Sequence, residues 1–219
     1  EIKAPNVIIR NSRVRAGNVQ VIKSEIDSNN LLVEDTEVDG LGQDNSLGGI
    51  ALIGRTGYTL RRVNAHRSGD IIRMDGTAEI YDSWLHDPKC LQSTCHNDII
   101  QSTNATHIRI VHNSLENPFT QTSCILLKAD IGDINDVIVD KNLFNGGGWT
   151  VYWYDGWDPD RKVWKFHVKQ GTFTNNKWLR SPIGYWPRGG YHGPAVSQYD
   201  PAFNHSQTTW TNNAWFDNG

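Results

Sequence analysis

The chain has little of several things. Among 219 residues there is one methionine and there are three cysteines. No apolar run approaches 18 residues, which excludes a membrane-spanning helix. There is no basic block, and the 21 Lys and Arg are outnumbered by 24 Asp and Glu. A nucleic-acid partner is therefore not expected, and neither is a membrane. Good helix formers give way to 20 Gly and 20 Asn, residues that favour turns, so a helical bundle is excluded. With 37% hydrophobic and 10% aromatic residues, disorder is excluded as well. What remains is a mostly β protein that carries nine Trp and is long enough for one large core, or at most two small ones.

The cysteines speak to compartment. Cys90 and Cys95 bracket the short loop Cys-Leu-Gln-Ser-Thr-Cys, where a local disulfide would suit a secreted protein. Three unpaired thiols are the alternative. No second Cys or His pair has zinc spacing. Sequons stand at Asn104-Ala-Thr and Asn204-His-Ser. The start at Glu1, close to the strand pattern Asn6-Val-Ile-Ile, reads as a mature or trimmed product.

An internal repeat organises the chain. Its pattern is apolar, x, apolar, x, polar, small-polar, x, apolar. Copies begin at Val7, Leu31, Tyr58, Ala78, Ile108, Val137, Phe166 and Thr208. The third positions are Ile9, Val33, Leu60, Ile80, Ile110, Val139, Val168 and Trp210. The sixth are Ser12, Thr36, Val63, Ser83, Asn113, Asn142, Gly171 and Asn213. A small polar residue recurs there because the chain must bend tightly, and Asn and Gly tolerate the left-handed region. Between copies runs a second strand pattern, seen at Val19–Ile22, Ile50–Ile53, Asp70–Arg73, Asp98–Gln101, Cys124–Leu127, Thr150–Trp153 and Ala195–Gln198. A constant strand pair with loops of changing length predicts an all-β, right-handed parallel β-helix of about eight coils. It forms a single domain over residues 1–219, with a Trp-rich long-loop region at 149–207. An antiparallel sandwich of short strands is the competing reading.

The strand His96-Asn-Asp-Ile-Ile-Gln101, followed by His107-Ile-Arg-Ile-Val-His-Asn113, resembles the pectate-lyase-like superfamily of secreted parallel β-helix proteins. Phe144-Asn-Gly-Gly-Gly-Trp-Thr-Val-Tyr152 and the ending Thr-Asn-Asn-Ala-Trp-Phe-Asp-Asn-Gly219 are similar to the same group. The resemblance implies a secreted protein that acts on, or binds, polysaccharides. In the polygalacturonase branch a pair of aspartates would fall at Thr122-Ser123. Their absence here counts against two-carboxylate hydrolysis.

Stacking the second strand row would make Asp70 the neighbour of Asp98 and Arg73 the neighbour of Gln101, with Lys128 leaving the next strand. A β-eliminating lyase needs a cation beside the uronate carboxylate, a base for the adjacent C–H and a donor for the leaving oxygen. Arg73, His96 and Lys128 are the catalytic candidates. Asp75, Gln101, Trp153, Tyr154 and Trp157 are the substrate-binding candidates, and Asp70 with Asp98 would either hold Ca²⁺ or only hydrogen-bond a turn. Trp84, Trp210 and Trp215 fall within the repeat and are expected to pack the coils. The six tryptophans from Trp149 to Trp186 either anchor long loops or meet sugar rings. An acidic polysaccharide lyase leads this reading. A non-catalytic glycan-binding or structural β-helix (tailspike- or adhesin-like), a glycoside hydrolase and a C5-epimerase are the alternatives.

Overall fold

The computed structural model describes residues 1–15, 20–25, 28–42, 53–90, 96–179, 190–196 and 207–216. Among these there is no α-helix. A 19-stranded sheet, with every pairing parallel, curls on itself into a solenoid-like body. One antiparallel hairpin, Gly156–Asp158 with Val163–Phe166, stands outside it.

Three register columns build the body. Ile9, Val33, Leu60, Ile80, Ile110, Val139, Phe173 and Trp210 pair in succession. The eighth-position residues Val14, Val38, Ala65, Leu85, Leu115, Phe144, Trp178 and Trp215 form the next column. Ile22, Ile53, Ile72, Ile100, Ile125, Val151 and Ala195 form the third, from the second strand pattern. Most of these side chains are fully buried. Each coil therefore buries its apolar positions against the coils above and below it.

The seventh copy of the repeat is framed differently from the sequence expectation. Its third position is Phe173, not Val168, and its sixth is Asn176, not Gly171. Gly171 instead takes the first, normally apolar position, for a steric reason. A Cβ there would lie 2.7 Å from Trp153 Cζ2. The buried indole of Trp153 fills that space and donates its N–H to Thr208 Oγ1 at 3.0 Å.

The bend is also one residue earlier than expected. The left-handed residue is the fifth of each copy: Asn11, Asp35, Arg62, Asp82, His112, Lys141, Asn175 and Asn212, with φ between 49° and 57°. This conformation is uncommon outside glycine. Charges alternate along part of this corner. Arg62 Nε donates to Asp35 at 2.6 Å, and His112 Nδ1 lies 2.7 Å from Asp82.

The sixth residue is turned inward as a ladder. The Asn113 amide donates to Ile80 O and to Asn142 Oδ1, each at 3.0 Å. The Asn142 amide donates to Ile110 O and Asn176 Oδ1, and the Asn176 amide to Val139 O and Asn213 Oδ1. Each Asn Oδ1 also accepts the backbone N–H of the preceding ladder residue. Hydroxyls donate differently: Ser12, Thr36 and Ser83 close their own bend onto the carbonyl two residues back, while Ser83 Oγ accepts the Val63 N–H at 3.0 Å as the amide oxygens do.

Replacing Asn142 by Ala removes both its donations and leaves the buried Asn113 N–H without an acceptor. Denaturant unfolding of Asn142→Ala is expected to show a loss of roughly 2–4 kcal/mol. A loss below about 0.5 kcal/mol would mean that the ladder is incidental to stability.

Candidate active site

The outward residues of the second strand row form two columns. Arg73, Gln101, Leu126 and Tyr152 are in direct register. Lys128 and Tyr154 pair alongside, and Asp75 pairs with Asn104 across a bulge. The row runs from charged to aromatic along the solenoid axis.

A cleft of about 280 Å³ opens on this face. His96, Gln101, Lys128, Tyr152 and Tyr154 line it around Leu126. Gln121, Thr122 and the buried Asp98 contribute to its wall. Tyr152 and Tyr154 meet edge to face at 5.2 Å between ring centroids. Burial, and then the neighbouring Tyr152, push the Tyr154 phenol up to about 12. It therefore keeps its proton at neutral pH and can act only as a donor or hydrogen-bonding group. Lys128 Nζ sits 3.0 Å from Asp130 with both side chains partly exposed. The ammonium remains available to an anion in the cleft because surface pairs of this kind are weak.

The other expected site residues fall in three places. Arg73 stands beside the cleft with its guanidinium engaged. It donates to Asp75 at 3.1 Å, to Gln101 Oε1 at 2.8 Å and to Thr103 Oγ1 at 2.9 Å. This fork holds Gln101 in place, which makes Arg73 a positioning residue. Trp153 points into the core against Phe173 at 5.3 Å and cannot meet substrate. Trp157 is exposed on the antiparallel hairpin, crossed by Trp164 at 5.1 Å. That hairpin begins two residues after Tyr154.

Asp70 and Asp98 are adjacent, as the stacking argument expects, but they do not fit a Ca²⁺ site. Asp70 Oδ1 accepts the Asp98 N–H at 2.9 Å. Asp98 Oδ1 accepts both the backbone N–H and the hydroxyl of Ser123, at 2.8 and 2.6 Å. Burial raises the pKa of both carboxyls, and the charge of Asp70 raises that of Asp98 further. A buried carboxylic acid spent on backbone donors is a poor ligand for a cation that wants six to eight oxygens. The pair is a second interstrand ladder, built of carboxyls where the corner uses amides.

Among the described residues, Glu37, Asp39 and His66 approach one another closely enough to share a metal. Arg13, Arg15 and Arg67 already occupy those carboxylates, and the hydrogen bond from Arg67 holds Asp39 down to about 2. Cys90 is disulfide-bonded and Cys124 is a buried free thiol. Cys95, Trp186, the sequon at Asn204 and parts of the second strand pattern (Val19, Ile50 to Leu52, and Ser197 with Gln198) lie outside the described residues. Asn104 of the other sequon sits within the paired strand Ile100–Val111.

Comparison with family models, with curated proteins and with solved structures returns no match to this chain.

Asp98 generates a sign-definite prediction. Its folded pKa lies above the ordinary carboxylate value, near 8. The stability it contributes is complete in acid and is lost as pH rises from about 4 through 8. Asp98→Asn keeps the acceptor for Ser123 and does not titrate. Its melting temperature should match wild type at pH 4 and exceed it at pH 8, by on the order of 1 kcal/mol or more in stability. Added Ca²⁺ should leave the wild-type melting temperature unchanged. A variant less stable at pH 8, or a wild type stabilised by Ca²⁺, would restore the metal reading.

Proposed function

We propose that the chain is a secreted, carbohydrate-active, right-handed parallel β-helix of about eight coils, allied to the pectate-lyase-like superfamily. Its reaction is the β-elimination of a uronate-containing polysaccharide. The observation that carries this reading is the convergence of Lys128, His96, Tyr152 and Tyr154 on one cleft.

The chemistry assigns one task to each group. The Lys128 ammonium offsets the uronate carboxylate, which acidifies the C–H at C5. His96, which lines the same cleft, takes that proton. The electron pair forms the C4–C5 double bond as the bond from C4 to the bridging oxygen breaks. The Tyr154 phenol, which holds its proton, supplies it to the leaving oxygen. Gln101, fixed by Arg73, hydrogen-bonds sugar hydroxyls, and the face of Tyr152 packs on a ring. No step passes through a metal.

A hydrolase is disfavoured because, of the described residues lining the cleft, Asp98 alone is a carboxyl, and it is buried and engaged. A C5-epimerase shares the proton abstraction and differs in returning the proton to C5. A binding-only module is the reading that the exposed Trp157 on its hairpin favours.

The test follows ultraviolet absorbance of the unsaturated uronate over a panel of uronans. Absorbance should rise on at least one of them. Lys128→Ala and Tyr154→Phe should each lower kcat by roughly 100-fold with the melting temperature preserved. No absorbance on any uronan sinks the lyase reading, reducing ends without absorbance favour hydrolysis, and retention without turnover favours the binding module.

A further inference from the structure

Trp84 does not pack the coils as its place in the repeat suggests. It is 45% exposed, although its strand is flanked on both sides, by Asn64 and by Ser114. The indole is nevertheless held. One face stacks on the His86 ring at 3.6 Å and 14° between planes. His86 is backed in turn by His66, 5.0 Å away and nearly parallel. The indole N–H donates to Glu116 Oε1 at 2.8 Å. Burial, with His66 beside it, lowers the His86 pKa to about 4, so the stack is uncharged at that ring in neutral solution. An exposed aromatic ring that is clamped on one face and one edge presents its other face in a fixed orientation.

The space beside that ring is shaped by register. The seventh repeat position runs Trp84, Ser114, Leu143. Ser114 is small and leaves its rung unfilled between the two large side chains. Two rungs span roughly 9–10 Å, room for one further ring in stacking contact. The notch belongs to an open groove of about 520 Å³. Asp82, paired to His112, and Glu116 provide carboxylate acceptors around it. Lys141 also borders the groove, with its ammonium 3.5 Å from Asp140.

A pyranose offers an apolar C–H face and a girdle of hydroxyls, which matches an aromatic face rimmed by carboxylates. A purely apolar ligand would desolvate Asp82 and Glu116 without replacing their hydrogen bonds. A uronate would bring like charge to them. We propose that this groove is a second carbohydrate subsite, which stacks one neutral pyranose ring on Trp84 over Ser114. It stands apart from the Lys128 cleft and does not depend on the reaction proposed there.

The test titrates cellohexaose, xylohexaose and mannohexaose, with trigalacturonate as the charged comparison, by calorimetry and tryptophan fluorescence at neutral pH. At least one neutral hexasaccharide should bind with Kd in about the millimolar range. Trp84→Ala should weaken it about tenfold or more. Ser114→Leu should do the same by filling the notch while Trp84 stays in place. Both variants should melt as wild type does and leave the affinity for trigalacturonate unchanged. The proposal is overturned by any of three results: no neutral binding up to about 10 mM, full affinity retained in either variant, or an equal loss of trigalacturonate binding.

Discussion

The structure depends on side-chain amides that bridge one coil to the next at a place where the sheet cannot. At the corner between the two strands of each copy, a left-handed residue interrupts the ladder of backbone hydrogen bonds. The buried N–H and C=O groups there still need partners. Asn113, Asn142, Asn176 and Asn213 supply them with one side chain per coil, each accepting from one backbone N–H and donating to one backbone carbonyl. This works in one register only. A slip of one residue would turn every outward side chain inward. The ladder thus also fixes which side chains share the cleft. A serine or threonine at the same position spends its one donor on its own bend; Ser83 still accepts the Val63 N–H of the preceding coil, but only the asparagines also donate across to the neighbouring coils.

The same logic explains the buried carboxyls under the cleft. Asp70, Asp98 and Ser123 bind one another at the corner that opens the second strand row. Their burial raises the carboxyl pKa values, because removing an ionised group from water costs more than losing the proton. These groups line up the strands whose outward faces carry Gln101, Lys128 and Tyr152. They set the floor beneath the more exposed side chains of the cleft.

Much of this was legible in the sequence because the repeat couples local pattern to position. The pairings of Asp70 with Asp98 and of Arg73 with Gln101 follow from stacking alone. The seventh copy was misframed because Gly171 breaks the apolar pattern, and its reason lies in Trp153, eighteen residues earlier in the chain. No local window contains that compensation. Trp153 is buried and Trp84 exposed, the reverse of what the sequence leads one to expect, although it carries a signal for both. Trp153 alternates with Tyr152 and Tyr154 in the parity of the buried Val151. Trp84 occupies the seventh position, which holds Arg13, Glu37, Asn64 and Ser114 in other copies. Alternation is a stronger guide to burial in a strand than aromatic character.

The two candidate sugar sites differ in charge in a way that makes them complementary instead of redundant. The Lys128 cleft sets an ammonium among tyrosines and amides. The Trp84 groove sets an aromatic face beside the carboxylates of Asp82 and Glu116, with Lys141 at its border. On the two proposals, a glycan of alternating uronate and neutral residues would meet a partner at each, whereas a pure uronan would bring its charge up against Asp82 and Glu116 at the second, with Lys141 offsetting part of it. Because both sites are carried on strands locked in one register, their separation is fixed. A rigid spacing of this kind converts a second weak contact into a gain in effective concentration only for a glycan long enough to span it. Weak affinity for short fragments is therefore compatible with firm retention of a long mixed polymer.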